Sequence, residues 1–180
     1  MAELTRPHAR FQRSFLAAMG EFVEEGRAGS DSMIGWDLDR FGETWHTRVG
    51  FAEYVAATLA EAVRPRRAGM VCQTSWWWTE GEEYVGRISL RHGLTPSLLD
   101  WGGHIGYDVR RSRRREGHAT RMLGAVLPEA AGRGIDPVLL TCDAENLASR
   151  RVIEANGGVL EDQRGHKLRY WVPAGLDRDP

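Results

Sequence analysis

The segment 103–123, GHIGYDVRRSRRREGHATRML, carries the strongest structural signal in this sequence. Ile105, Tyr107 and Val109 alternate with a glycine and an aspartate, which predicts a short strand. An arginine-rich turn follows this strand. Apolar residues then recur at helical spacing, and they are Met122, Leu123, Val126 and Leu127. The segment is therefore predicted to run from a strand through a cationic loop into the N-terminus of a helix.

The predicted helix start is suited to binding an anion. The first N–H groups of a helix have no intrahelical partner, and the aligned peptide dipoles place partial positive charge there. Gly117 and Ala119 carry little or no side chain, so a phosphate group can approach the backbone closely. The arginines between residues 110 and 115 add full charges and fork-shaped donors. The pattern predicts a diphosphate-binding loop.

Two motifs resemble a known family. Residues 114–119, RREGHA, fit the pattern Gln/Arg-x-x-Gly-x-Gly/Ala, which resembles the acyl-CoA diphosphate loop of the GNAT superfamily of N-acetyltransferases. Residues 146–158, NLASRRVIEANGG, resemble the family's second signature helix and the glycine turn that ends it. The resemblance is clearest over residues 71–172. It implies one α/β (α+β mixed) domain over residues 1–180, with a central mixed, mostly antiparallel sheet that splays at the cofactor site and helices on both faces.

Composition and charge exclude several classes of function. A chain of 180 residues, 42% of them apolar, is long enough for one domain with a real core. A net charge of −1 argues against a general nucleic-acid or membrane-surface binder, and no apolar run is long enough to span a bilayer. The N-terminus lacks the apolar core of a signal peptide, and two cysteines make no disulfide framework. These features predict a cytoplasmic protein without a membrane partner.

Hydrophobic periodicity and turn residues place the other elements. The helix that follows the loop is predicted to run to about Ala131, with a kink or an early end at Pro128. The tail over residues 173–180 is predicted to be frayed. The remaining predicted elements are a strand at 3–6, a helix over about 11–23, a loop at 26–35, a helical region over about 39–62, a hairpin of strands 70–79 and 84–91, a buried strand at 137–142, a helix closed by residues 156–158, and a final hairpin of strands 158–162 and 167–172.

By resemblance, the chain transfers an acetyl group from acetyl-CoA to a primary amine of a small molecule or peptide, by direct attack in a ternary complex. The pantetheine arm of coenzyme A would lie between the signature strand and strand 137–142. The N–H of Val109, or of a neighbour, would donate to the thioester oxygen. No histidine pair has metal-ligand spacing, so no metal is expected. The cofactor-binding residues implied by the resemblance are Tyr107, Asp108, Val109, Arg114, Arg115, Gly117, His118, Ala119, Thr120, Asn146 and Ser149.

The sequence departs from the family pattern at the general acid. Many members carry a tyrosine seven residues after the position of Asn146, where it protonates the leaving thiolate, but this chain has Ile153 there. Ser149, one helical turn after Asn146, is the candidate acid instead. Asn146 also suits the N-cap of its helix, and Cys142 in its apolar strand is interpreted as core. The candidate catalytic residues are Ser149, His104 and Tyr107, with Glu83 or ordered water as further options for the base.

The acceptor and the partners stay open at this stage. Three consecutive tryptophans, residues 76–78, predict that alternate side chains face the core, although one of them could line an acceptor pocket. With the acidic turn at residues 80–83 they suggest a cationic, partly apolar amine. Two alternatives share the fold: a transferase that uses aminoacyl-tRNA as donor, and a catalytically silent acyl-CoA-binding module. Nucleic acid as the sole partner is not expected, and a homodimer is possible because family members often form one.

Overall fold

In this computed structural model, which describes residues 1–175, three consecutive tryptophans divide the fold into two apolar cores. The side chains of Trp76 and Trp78 face one core and that of Trp77 faces the other, because successive side chains of a strand point to opposite faces of its sheet. None of the three is more than 7% exposed. The predicted alternation is confirmed, and all three tryptophans are part of the cores.

The described residues form strands and helices in the order expected for a mixed α/β domain. The strands are β1 (Glu3–Thr5), β2 (Gln73–Glu80), β3 (Glu83–Arg91), β4 (Ile105–Val109), β5 (Val138–Asp143), β6 (Val159–Arg164) and β7 (Lys167–Val172). The helices are α1 (Gln12–Glu24), α2 (Met33–Phe41), α3 (Arg48–Ala60), α4 (His118–Ala131) and α5 (Leu147–Glu154). Single helical turns lie at Ala9–Phe11, Leu98–Gly102 and Arg111–Arg113.

The strands form two antiparallel sheets that meet at one point. The first sheet has the order β1-β2-β3-β4 and the second has the order β5-β7-β6. At the start of β4, the His104 N–H donates to the Leu139 carbonyl (2.7 Å), and the Leu139 N–H donates to His104 Nδ1 (2.9 Å). Beyond this contact β4 and β5 belong to different sheets, and no backbone hydrogen bond joins the two strands among residues 1–175. The predicted splay is confirmed.

Helices cover both faces of the first sheet, as predicted. Met122 and Leu123 of α4 and Ile153 of α5 pack into the core that contains Trp76. Phe15 of α1 lies in the opposite core, which α3 also covers, and its ring centroid is 5.3 Å from that of Trp77. Aromatic packing of this kind adds stability beyond the area it buries. The sheet that carries β4 is therefore held rigidly from both sides.

The prediction of one helical region over residues 39–62 is wrong. Two helices occupy it, and α2 begins at Met33, inside the segment predicted as a loop. Ser32 Oγ accepts from the Gly35 N–H and Thr47 Oγ1 accepts from the Gly50 N–H, so each helix has its own N-cap. Two apolar residues of the predicted helical regions, Val23 and Val49, are 49% and 70% exposed, so neither belongs to a buried helix face.

The predicted end of α4 at about Ala131 is confirmed, and the helix does not end early at Pro128. A proline inside a helix removes only one hydrogen bond, and Ala130 beyond it is fully buried in the core. The start of the tail is held as well, because the N–H groups of Ala174 and Gly175 donate to the Asp136 carboxylate. The rest of the predicted frayed tail lies outside the described residues.

Candidate active site

The gap between β4 and β5 is lined by backbone groups of β4. The Arg91 N–H donates to the His104 carbonyl (2.7 Å), and the Arg110 N–H donates to the Val85 carbonyl (3.0 Å). These two bonds identify which residues of β4 form hydrogen bonds to β3. Hydrogen-bonded and non-hydrogen-bonded residues alternate along an antiparallel pair. The residues whose N–H and C=O groups point away from β3, towards the gap, are Ile105, Tyr107 and Val109.

The gap has a closed end and an open end. It is closed where Leu139 of β5 bonds to His104 through both its N–H and its carbonyl. Alternation along β5 then turns the backbone of Thr141 towards β4. An extended chain that carries amide groups can add to such a free strand edge by backbone hydrogen bonds. The open end leads towards the loop before α4.

This loop has the geometry of an anion site. Gly117 adopts the left-handed conformation (φ 74°, ψ 8°) directly before α4. The first bond within the helix runs from the Arg121 N–H to the Gly117 carbonyl (3.2 Å). The N–H groups of His118, Ala119 and Thr120 therefore have no intrahelical acceptor. A helix start that exposes such N–H groups beside a side-chain-free residue is suited to a diphosphate.

The side chain of His118 points into the protein and is only 4% exposed. Its Nδ1 accepts from Trp78 Nε1 (3.0 Å) and lies 3.0 Å from Arg121 Nη2. With Nδ1 used as an acceptor, the proton belongs on Nε2, which lies 3.1 Å from the Glu116 carboxylate. The buried ring of His118 is not available to a cofactor, so only its backbone N–H can make the predicted contact. The ring instead fastens the loop to β2.

Most arginines of the loop are paired with carboxylates of the same chain. Arg110 donates to Glu21 through Nε (2.9 Å), and Arg113 is bound by the acidic turn of the β2–β3 hairpin. The hydrogen bond that Arg113 donates to Glu80 is the largest cause of the raised pKa of Arg113, and Glu83 adds to it. The acidic turn is thus used within the protein, so it no longer supports the expected cationic acceptor. The three tryptophans do not support it either, because they are buried.

Arg114 and Arg115 differ in their surroundings. Arg114 makes two bonds to the Glu25 carboxylate (2.6 and 2.8 Å), and its Nε donates to the Val109 carbonyl (2.9 Å). It therefore holds the end of β4 in place. Arg115 is exposed in the left-handed conformation (φ 68°), and no described carboxylate lies within 4 Å of its guanidinium. Arg115 is the arginine that is free to meet an anion.

Two predicted catalytic residues meet beside the gap. Tyr107 Oη lies 2.7 Å from Ser149 Oγ, which connects β4 to the first turn of α5. Burial raises the pKa of Tyr107 to about 12, although the Ser149 hydrogen bond lowers it in part. Cys142 of β5 is buried nearby, and burial raises the pKa of its thiol. The phenol is therefore protonated at neutral pH, and the thiol is core, as predicted.

The other predicted residues of α5 have structural partners. Asn146 Oδ1 accepts from the Ser149 N–H (3.0 Å), which confirms the predicted N-cap. Ile153 is fully buried in the core, and a Cβ on Gly158 would lie 2.5 Å from its Cγ2. A tyrosine at this position would need different packing, so the departure from the family pattern extends to the surrounding core.

The candidate bases and Asp108 are held by their neighbours. His104 Nδ1 accepts from the Leu139 N–H, so the neutral ring has no free lone pair, and burial and Arg91 lower its pKa. Glu83 is bound by Arg113. Asp108, predicted to bind the cofactor, directs its backbone to β3 and its carboxylate to Arg27 (2.8 Å). The structure does not bring Asp108 to the gap.

Sequence patterns did not reveal the acidic partners of the loop. Glu21, Glu24 and Glu25 at the end of α1 bind Arg110, Arg111 and Arg114 across more than 80 positions of sequence. Charged residues on a helix are usually solvated, so no local signal identifies such pairs. Among residues 1–175 no three metal-ligating side chains cluster. No helix in this range combines the length and apolarity needed to cross a membrane.

A family model and several solved structures point to the same family of proteins. A family model described as an acetyltransferase (GNAT) domain matches residues 30–159. No curated protein matches the sequence. Among solved structures, the chain is similar to the microcin C7 self-immunity acetyltransferase MccE in complex with acetyl-CoA and AMP (TM-score 0.66, 10% identity, covering 96% of this chain and 92% of that chain).

Two further solved structures have the same fold. RimJ of Mycobacterium smegmatis in complex with CoA-disulfide has a TM-score of 0.67 at 18% identity and covers 99% of this chain and 84% of its own. RimL, a ribosomal L7/L12 alpha-N-protein acetyltransferase in complex with coenzyme A, has a TM-score of 0.62 at 16% identity and covers 94% and 92%. At these identities the likeness shows the fold.

Proposed function

The chain belongs to the GNAT family of acetyltransferases, and on this basis we propose that it transfers an acetyl group from acetyl-CoA to a primary amine of a small molecule or peptide. One observation carries the proposal. The backbone of Tyr107 and the N–H of Val109 point away from β3, and the loop that follows this strand ends at the left-handed Gly117 before α4. A ligand that joins amide groups to a diphosphate matches both parts at once, and acetyl-CoA is such a ligand. The similar structures of MccE, RimJ and RimL contain acetyl-CoA or a form of coenzyme A.

The two ends of the gap set the direction of the cofactor. The diphosphate would bind the N–H groups of His118, Ala119 and Thr120 in the first turn of α4, with Arg115 beside it. The pantetheine amides would pair with Val109. The thioester would then lie towards the closed end of the gap at His104 and Leu139. The N–H of Tyr107, rather than that of Val109, is therefore the better placed donor to the thioester oxygen. One donor of this kind contributes roughly 100- to 1,000-fold in rate.

The reaction needs no covalent intermediate on the protein. The neutral amine attacks the thioester carbon, and the carbonyl oxygen becomes an oxyanion that accepts from the Tyr107 N–H. The C–S bond then breaks, the oxyanion reforms a carbonyl, and the sulfur leaves as a thiolate. The amide nitrogen loses one proton to solvent, and the thiolate gains one. Atoms and charge balance as amine plus thioester giving amide plus thiol.

Tyr107 is the proposed proton donor to the thiolate. Its hydroxyl is protonated at neutral pH, with a pKa of about 12, and Ser149 Oγ at 2.7 Å can pass a proton to it from the helix side. A thiol is far more acidic than this phenol, and a serine hydroxyl is no stronger an acid, so the pair can act only as a relay. The proton that Tyr107 gives to the thiolate is replaced through Ser149 by one from solvent, which leaves both hydroxyls protonated. Asn146 orients the first turn of α5 and so supports Ser149.

Release of free thiol from acetyl-CoA, measured with a panel of amines, amino acids, aminoglycosides and peptides, tests the proposal. Thiol release that depends on an amine, with a matching acetylated product, is expected. Binding of acetyl-CoA without transfer to any amine would identify a silent module. Transfer only from aminoacyl-tRNA, lost on RNase treatment, would identify the other alternative. A cytoplasmic location and a homodimer stay predictions, which fractionation and light scattering can check.

A further inference from the structure

A cavity of about 230 Å³ lies beside α2, the end of β3 and the loop that leads to β4. Met33 and Arg91 both line it. A Cβ on Gly106 would lie 2.9 Å from Met33 Cε and 3.7 Å from Arg91 Nη2, so the two side chains cover Gly106. Gly106 and Tyr107 are neighbours on β4 and therefore face opposite sides of the sheet. The cavity thus lies across the Met33 and Arg91 side chains from the strand segment that would hold the thioester.

The two faces of β4 differ in how they are covered beside the proposed thioester position. The face opposite the cavity is filled by the side chains of Ile105 and Tyr107, which pack against the core under α4 and α5. On the cavity face Gly106 has no side chain of its own, and only the ends of the flexible Met33 and Arg91 side chains cover it. The apolar part of the cavity wall is formed by Met33, Trp36, Met70 and Leu98.

Two charged residues of the wall neutralise each other. Glu61 accepts from Arg66 Nε (2.6 Å) and from Gln73 Nε2 (2.6 Å), so both of its oxygens are used. Arg66 Nη1 lies 2.8 Å from the buried carboxylate of Asp37. Neither Glu61 nor Arg66 therefore offers an unbalanced charge to a ligand.

Arg91 is the exception. Its Nη1 donates to the carbonyls of Gly102 (2.9 Å) and Gly103 (3.0 Å), which holds the guanidinium against the loop before β4. Among the described residues no carboxylate lies within 4 Å of it, whereas its Nη2 is directed at Gly106. Burial lowers the pKa of Arg91, and the positive charge of Arg87 lowers it further. A half-buried guanidinium without a counter-ion favours an anionic ligand.

We infer that this cavity is the acceptor site and that the acceptor is a small amine carrying a carboxylate and an apolar group, with the carboxylate bound by Arg91. The inference rests on the proposed function. The apolar group would contact Met33 and Trp36, and the size of the cavity restricts it to an amino-acid-like molecule. The charge of Arg91 also favours the neutral form of a nearby amine, which is the form that attacks.

Calorimetry on the CoA-saturated protein tests the inference with two matched probes, N-acetyl-L-leucine and N-acetyl-L-leucinamide, which differ in one charge. The acid should bind about 10- to 100-fold more tightly, as expected for a hydrogen bond to a charged group. Acetylation of L-leucine and L-leucinamide should show the same order in kcat/KM. Equal or tighter binding of the amide, or no binding of the acid, would overturn the inference.

Variants test whether Arg91 causes the preference for the acid over the amide. Arg91→Gln should bind the two probes equally, Arg91→Lys should keep a preference for the acid, and Arg13→Gln, which changes an exposed arginine of α1, should match the wild type. Titration of the same samples with CoA separates the two levels of the proposal. If CoA binds but the acid is not preferred, only the acceptor class is wrong. If CoA does not bind, the proposed function itself is wrong.

Discussion

Tyr107 and Ser149 lie 42 positions apart in the sequence, yet their side-chain oxygens are 2.7 Å apart in the structure. The contact joins β4 to the first turn of α5 beside the gap. Ile153 occupies the position where many family members have the tyrosine that protonates the thiolate, and it is buried in the core. We therefore propose that the Tyr107–Ser149 pair supplies the protonated hydroxyl near the leaving group that the tyrosine supplies in other family members.

Replacing this hydroxyl should reduce turnover without loss of the cofactor. Tyr107→Phe is expected to lower kcat by at least about 100-fold, the usual contribution of a general acid, while CoA affinity changes little. Tyr170→Phe is the matched control, because that hydroxyl bonds to Glu154 away from the gap. Steady-state kinetics and CoA titration make the comparison. An unchanged kcat in Tyr107→Phe would exclude the tyrosine as the acid.

The raised pKa of Tyr107 also predicts a pH dependence. A tyrosine with a folded pKa of about 12 and an unfolded pKa of about 10 supports the fold fully below pH 10. Its contribution is lost as the pH rises towards 12, because the unfolded state ionises first. Wild-type protein should therefore lose more stability between pH 10 and pH 12 than Tyr107→Phe. Parallel denaturant titrations over this range measure the difference.

Gly117→Glu should abolish CoA binding, because it places bulk and negative charge where the diphosphate is expected. The substitution also strains the backbone, since Gly117 has a φ of 74° and a left-handed conformation costs an L-residue roughly 1–2 kcal/mol. Gly134→Glu isolates this strain. Gly134 has a φ of 73° with open space around its Cβ position, in the turn after α4. Equal CoA affinity in both variants would contradict the diphosphate assignment.

Arg115 and Arg114 should respond differently to removal of the side chain. Arg115→Ala is expected to weaken CoA binding by about tenfold and to leave stability unchanged, since the guanidinium has no described counter-ion. Arg114→Ala should lower the free energy of unfolding by about 1 kcal/mol, because it breaks the exposed pair with Glu25 and releases the Val109 carbonyl. The reverse pattern would show that Arg114 is the cofactor ligand.

The acidic residues of α1 predict a response to acid. Burial alone would raise the pKa of Glu21, but hydrogen bonds from Arg110 and Ser112 outweigh it and lower the pKa to about 2. The stabilisation by Glu21 is therefore present above its unfolded pKa of about 4.5 and is lost as the pH falls towards 2. Glu21→Gln should cost about 1–3 kcal/mol at pH 7 and flatten the loss of stability between pH 4.5 and pH 2. Glu24→Gln, an exposed pair, should have almost no effect.

Local signals in the sequence account for the parts of the site that depend on backbone. Alternation identified β4, and the glycine pattern identified the start of α4, because each depends on residues adjacent in the chain. The two-sided packing of Trp76 to Trp78 was predictable for the same reason. The prediction of one long helix over residues 39–62 was wrong because hydrophobic spacing does not show that Ser32 and Thr47 cap separate helices.

Contacts between residues far apart in the sequence could not be predicted from local patterns. The pairing of Glu21 with Arg110 and the placement of Met33 over Gly106 depend on how α1 and α2 dock on the sheet. The same holds for His104, which sequence suggested as a base and which the fold uses to close the gap. The acidic turn at residues 80–83 suggested a cationic acceptor, whereas its carboxylates bind Arg113.

Thermal unfolding with and without acetyl-CoA, CoA and ATP tests most directly whether the gap and the Gly117 loop bind the cofactor. A ligand at 100 times its dissociation constant stabilises the folded state by about 2.7 kcal/mol, which raises the midpoint visibly. We predict a higher midpoint with acetyl-CoA and with CoA and no change with ATP. No rise with either CoA species, or an equal rise with ATP, would contradict the proposed function.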